Sequence, residues 1–276
     1  MLIRAHYYQQ FDADPTLDVP AEAYGGWKTA VIELAPEHTA VVVMHAWDFG
    51  EPHEYPGWRR CVEYIPRAEA ICRTVFPKLL TAVRTSGLKL FHVVSRGNYY
   101  KQYPGYKLAV ELAGPEPEEP ERISPDPVLA KLKRFRAEHV FVGKHNEDDV
   151  RHGFERLDFA PEAKPYDNEP VAETGHQLFA LCKHFDVNHL IYTGFAINWC
   201  LLLSPGGMHE MSSRGLMCSA IREAVTAVEN KETARRELCK ELALWRVALA
   251  FGFVFNLEDF LDALHRLNDR TPTCDD

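Results

Sequence analysis

The sequence predicts an α/β protein built on a mostly parallel sheet of six strands. Short apolar runs alternate with helix-period segments, the runs are rich in β-branched and aromatic residues, and turn residues or charges bound them. In chain order the candidate strands are TAVVVMH (39–45), LKLFHVV (88–94), HVFVG (139–143), HLIYTG (189–194), LMCSAI (216–221) and FGFVF (251–255). Between the first two, Phe76 to Ser86 reads as a helix, with Pro77 in its first turn and Gly87 just past its end. From 174 to 185, Leu178, Leu181, Cys182 and Phe185 recur at i, i+3, i+4 and i+7 and give a helix one apolar face, delivering the chain to 189–194. A long amphipathic helix is predicted over 231–250 through Leu238, Leu242, Trp245 and Leu249. Asn256 with Asp259 has the pattern of an N-cap for a last helix, so helices would cover both faces of the sheet.

At 276 residues the chain is long enough to bury a large core, and it reads as one domain over 1–276. Two stretches interrupt the alternation: 113–127, with five prolines among glutamates, and 145–172, which has no sustained period. Both are expected to be solvated loops, with lids over a site as the alternative. Composition is that of an ordered globular chain, 46% hydrophobic and 26% charged. A net charge of −9 opposes a nucleic-acid partner and leaves small molecules or proteins. The N-terminal MLIRAHYYQQFDADP lacks the apolar core of a signal peptide, and no run has membrane-spanning length, so a cytoplasmic protein without a membrane partner is expected. Seven cysteines form no CxxC pair, and reduced thiols are the expectation.

Ligands of open parallel sheets sit beyond the carboxyl ends of the strands. There the sequence offers His45, followed by Trp47 and Asp48; Lys144, directly after 139–143; and Cys200, reached from Gly194 through a five-residue turn. A thiol becomes a nucleophile when a helix N-terminus or a neighbouring cation favours the thiolate. The competing reading of Cys200 is simple packing beside Trp199 and Leu201 to Leu203. Cys72, Cys182 and Cys239 fall on predicted helix faces, Cys218 inside a strand, and Cys274 in a polar tail.

Around Cys200, GFAINWC (194–200) carries Gly, Ala and Cys, and VGK (142–144) carries Lys upstream. This pattern resembles the isochorismatase-like cysteine hydrolases, which have an Asp ending the first strand, a Lys after the third and a Gly-x-Ala-x-x-x-Cys turn after the fourth. The resemblance covers a core of about 38–266 with insertions at about 104–128 and 145–172. It implies a Rossmann-like, three-layer α/β/α fold and a homo-oligomer. It also implies Cys200 as nucleophile, Lys144 as charge stabiliser, the Ala196 and Cys200 N–H groups as oxyanion donors, and a cis peptide before Ala196. The family's Asp falls on His45, or on Met44 after a one-residue shift, and neither is a carboxylate. Neutral imidazole can take a thiol proton and return it to a leaving amine, so His45 is the candidate base. Pro205, Gly206 and Gly207 predict a short helix after Cys200 with a weakened dipole.

Nicotinamidase-type relatives carry a metal cluster after the second strand. Here SRGNYYKQYPGY (95–106) has Asn98 and four tyrosines without a histidine, so neither metal nor another cofactor is expected. Tyr99, Tyr100, Tyr103 and Tyr106 could line a pocket or cover sheet and helix edges. Trp47, Asp48, Tyr99, Tyr100, Asn198 and Trp199 are the candidate substrate-binding residues. The reading that follows is a cysteine hydrolase of a small amide, imide or related C–N compound. The alternative is a catalytically silent relative that binds a metabolite or protein in the former pocket; thiol redox chemistry ranks third, for lack of a resolving cysteine.

Overall fold

The runs at 39–45 and 189–194 are apolar at almost every position because each becomes a central strand covered on both faces. The computed structural model describes residues 1–118, 120–166 and 168–269. Its strands are β1 (Leu2–Gln9), β2 (Gly26–Glu33), β3 (Thr39–Met44), β4 (Lys89–Val93), β5 (Val171–Ala172), β6 (His189–Phe195), β7 (Met217–Thr226) and β8 (Val254–Phe255). They form one sheet in the order β2-β1-β8-β7-β6-β3-β4-β5. From β8 to β5 all neighbours are parallel, while β1 pairs antiparallel with both β2 and β8.

Alternation along β3 splits the core in two. Val41 and Val43 pack on one face with Phe76, Leu79, Leu80 and Val83 of the helix Phe76–Ser86 and with Phe260 and Leu264 of the helix Leu257–Asn268. Ala40, Val42 and Met44 pack on the other with Leu178 and Leu181 of the helix Gly175–His184 and with Leu244 and Val247 of the helix Leu238–Ala250. The result is the predicted helix–sheet–helix layering. Each fully buried Val or Leu of these layers contributes about 1.5–3 kcal/mol.

The chain runs from β3 outward to β4 and β5, then returns to β6 on the opposite side of β3. Beyond the carboxyl ends of β3 and β6 the sheet therefore has its switch of direction, the place where ligands of such sheets bind. Met44 pairs with Gly194 there. Gly194 has φ +107°, and a Cβ on it would lie 1.9 Å from the Met44 carbonyl oxygen, so only glycine lets the two strands approach this closely.

Several sequence expectations change. The sheet has eight strands rather than six: five of the expected runs form strands, and β1, β2 and β5 add three. The run 139–143 is not a strand. Asp126 accepts hydrogen bonds from the Val128 and Leu129 amides, Pro127 occupies the first turn, and the helix Pro127–His139 continues through the polar segment before the run. The Val140 and Phe141 amides then both donate to the Arg136 carbonyl, and both side chains are exposed. The stretch 145–172 is not all loop: it holds the helix Glu147–Glu155 and β5. The helix expected over 231–250 starts at Leu238, after a 3₁₀ turn at Ala234–Arg236. Asn256 does precede the last helix, but its side chain makes no cap; Glu223 accepts from the Leu257 amide instead. Cys274 lies outside the described residues.

Candidate active-site crevice

Cys200 is half-buried and opens the four-residue helix Cys200–Leu203. The helix stops where Pro205 to Gly207 predict: the Ser204 amide donates to the Cys200 carbonyl and the Gly207 amide to the Ser204 carbonyl. As the first helical residue, Cys200 has an N–H without an intrahelical acceptor. The turn that delivers it is well held. The Phe195–Ala196 peptide is cis, as the resemblance implies. The Ala196 carbonyl accepts from the Trp199 and Leu201 amides at 3.1 and 3.2 Å. The Ile197 amide donates to the Thr226 carbonyl at 2.8 Å. Asn198 brackets Val228, donating to its carbonyl at 2.8 Å and accepting from its amide at 2.9 Å.

Segment 226–228 is anchored in turn. Arg67 donates to the Thr226 hydroxyl at 3.0 Å and the Ala227 carbonyl at 3.1 Å, and it pairs with Glu63 and Glu237. Glu63 accepts from the Glu229 amide, and the buried Glu229 carboxylate accepts from the Cys239 and Lys240 amides at the start of the helix Leu238–Ala250. Tyr64, just ahead of the helix Ile65–Thr74, packs its ring 6.5 Å from that of Phe195. Burial pushes its phenol well above the ordinary range, and a charge on Cys200 would add to this.

His45 stands one residue beyond β3, buried, with φ 52°. Its amide donates to the Val93 carbonyl at 3.0 Å, and its ring stacks on Trp47 with centroids 4.8 Å apart. Its Nδ1 is buried without a hydrogen-bond partner among the described residues. Burial, reinforced by the positive charge of Arg96, holds the imidazole pKa down at about 3, so the ring is neutral at neutral pH. Trp47 Nε1 donates to the Tyr99 hydroxyl at 2.9 Å, and Trp47 meets Phe154 edge to face. Beside this aromatic group lies an open cleft of ≈ 950 Å³ lined by Arg96, Asn98, Tyr99, Val142 and Phe154.

The other candidates divide. Tyr99 reaches the cleft, while Tyr100 is fully buried in contact with the rings of Tyr99 and Tyr106. Asp48 is exposed and lines a separate cavity of ≈ 400 Å³ with Glu54, Glu69 and Arg73. Trp199 is 58% exposed, and the Asn198 amide group is spent on the Val228 backbone. Lys144 is exposed on the turn after the helix Pro127–His139, and the described contacts tie it to neither His45 nor Cys200. Three residues that sequence reasoning missed are Tyr64, Arg96 and Phe154. Of the three, only Arg96 carried a sequence signal, its place before Gly97; the structure puts both residues at positive φ. Among the described residues, no group of three or more His, Cys, Asp or Glu could hold a metal ion. Among them also, no helix is long and apolar enough to cross a membrane.

Sheet and crevice together define an α/β protein with a thiol and an imidazole beyond two adjacent central strands. Its structural neighbours include isochorismatase-family proteins and a cysteine hydrolase. The chain is similar to a cysteine hydrolase from Pseudomonas syringae pv. phaseolicola at 14% identity and TM-score 0.48, covering 85% of this chain and 95% of that one. It is similar to an isochorismatase-like hydrolase from Alkaliphilus metalliredigens at 16% identity and TM-score 0.46, covering 82% and 97%. It is also similar to the N-carbamoylsarcosine amidase of Thermoplasma acidophilum at 14% identity and TM-score 0.43, covering 80% and 96%. No family model matches the sequence, and no curated protein does.

Proposed function

We propose that this chain is an isochorismatase-like cysteine hydrolase acting on a small amide, imide or related C–N compound. One observation carries the reading: His45 and Cys200 follow the adjacent strands β3 and β6 at the sheet's switch point, where Met44 pairs with Gly194. In this proposal the Cys200 thiol loses its proton to neutral His45 and its sulfur attacks the carbonyl carbon. The oxyanion accepts hydrogen bonds from the Ala196 and Cys200 N–H groups. His45 returns the proton to the departing amine, and water then releases the acyl group from the sulfur. Lys144 supplies positive charge in this proposal, the role that the resemblance gives it. A cytoplasmic setting and a homo-oligomer belong to the same proposal.

A second reading has its own support. An imidazole held near pKa 3, without a hydrogen-bond partner at Nδ1 among the described residues, is a weak base, and this favours a catalytically silent protein that binds a metabolite in the crevice. A screen of small amides and imides for ammonia release separates the two, with Cys200→Ala as control. Turnover in the wild type and none in Cys200→Ala supports the hydrolase. Tight binding of a screened compound with no turnover at any pH supports the binder.

A further inference from the structure

The ladder that joins β6 to β7 runs out at Phe195 and Thr226, the last residues of the two strands. The turn to Cys200 starts at the next residue, so the sheet itself no longer holds it. Arg67, in the helix Ile65–Thr74, reaches this place. Its Nε donates to the Thr226 hydroxyl at 3.0 Å and a terminal nitrogen donates to the Ala227 carbonyl at 3.1 Å, so the guanidinium grips groups on both sides of the Thr226 carbonyl. That carbonyl is the acceptor of the Ile197 amide at 2.8 Å. The same terminal nitrogen meets both Glu63 oxygens at 2.9 Å, and Nε stands 3.1 Å from Glu237. The two carboxylates fix the guanidinium and balance its charge, which suits it to ordering backbone rather than to receiving a ligand.

A hydrogen bond from the Ile197 amide orients the planar Ala196–Ile197 peptide. The Ala196 carbonyl of that peptide accepts from the Trp199 and Leu201 amides, the neighbours of Cys200 on either side. The Cys200 amide between them has no intrahelical acceptor. We propose that Arg67 is the positioning residue of the oxyanion cradle: by holding the Thr226 carbonyl it sets the peptide that orients the Ala196 and Cys200 N–H groups toward a substrate oxygen. The use of the cradle rests on the hydrolase reading above; the positioning stands on the contacts from Arg67 through Thr226 to Ile197. Preorganised donors act on the charge that develops in the transition state, so losing Arg67 costs kcat more than KM. Lysine is a single point charge without the planar fork, and it does not replace the arginine here.

The test reads order and chemistry separately in full-length wild type, Arg67→Ala, Arg67→Lys and Thr226→Val. The last variant removes the hydroxyl that Arg67 grips and keeps a β-branched side chain. Hydrogen exchange by mass spectrometry follows a peptide covering 195–203 against one covering 39–44 in β3. In Arg67→Ala, exchange over 195–203 is expected to quicken about tenfold or more with 39–44 unchanged, and Thr226→Val moves the same way to a smaller extent. Unchanged exchange over 195–203 in both variants, or equal quickening of the two peptides, would overturn the assignment. For an amide or imide that the wild type turns over, Arg67→Ala is expected to lower kcat about a hundredfold with KM changed less than about threefold. Arg67→Lys stays near the alanine variant, while added guanidinium ion restores part of kcat in Arg67→Ala and none in Asn198→Ala. A wild-type kcat in Arg67→Ala, a loss confined to KM, or no rescue by guanidinium overturns the positioning role. If the wild type turns over no screened compound, the hydrolase reading falls, and the exchange result alone decides whether Arg67 orders the Cys200 turn.

Discussion

The buried imidazole of His45 makes the fold sensitive to acid in a measurable way. Its pKa falls from 6.5 to about 3 on folding, first through burial and then through Arg96. Between those values the unfolded chain binds a proton that the folded chain refuses, so stability is lost as pH falls from about 6.5 toward 3. For one such group the loss between pH 7 and pH 5 is about 2 kcal/mol, rising to about 5 kcal/mol below pH 3. His45→Gln removes the titration and keeps a neutral polar side chain. Urea unfolding of both proteins at pH 7 and pH 5 isolates the contribution, because the other histidines cancel in the difference between differences. The variant is expected to lose about 2 kcal/mol less than the wild type over that interval. Equal losses in the two proteins would mean that His45 is solvated, and the argument that it enters the crevice as a neutral base would fall with it.

Two further substitutions probe the crevice walls. Gly194→Ala sets a methyl against the Met44 carbonyl at a φ of +107°, and thermal unfolding is expected to show a loss above about 3 kcal/mol; a wild-type midpoint would show that β3 and β6 do not meet as closely as described. Asn198→Ala leaves both the amide and the carbonyl of Val228 without their partner, at a cost of about 2 kcal/mol, with Asn198→Asp losing about half as much because it keeps the acceptor. Urea denaturation reads both values, and an unchanged midpoint in the alanine variant would release the Cys200 turn from its supposed mooring.

What the sequence made legible follows from burial. Strands β3, β4 and β6 are covered on both faces, so their apolar runs are continuous and stand out against charged surroundings. Strands β1 and β2 lie toward one sheet edge, and β2 carries Lys28 and Thr29 among its apolar residues, so neither produced such a run. The run 139–143 misled for the opposite reason. Val140, Phe141 and Val142 have strand-like composition, but the capped helix before them fixes the chain's path, and no neighbouring strand among the described residues receives them. Lys144 was placed after a strand on that basis, and with the strand gone it sits on an exposed turn. At the site, Cys200 and His45 were readable because each follows a recognisable strand. Arg96, Tyr64 and Phe154 were not, since only the tertiary fold sets Arg96 and Phe154 side by side in the cleft near Trp47 and Tyr64 against Phe195.

The anchoring of the Cys200 turn reaches further than its own neighbourhood. Asn198 grips Val228, Glu63 accepts from the Glu229 amide, and the Glu229 carboxylate holds the first amides of the helix Leu238–Ala250. The thiol is thus moored by way of a neighbouring segment to an element whose first turn lies far from it in sequence. Its labelling rate becomes a gauge of that docking: loosening the helix, even by a change remote from the crevice, would register as altered exposure of one sulfur atom.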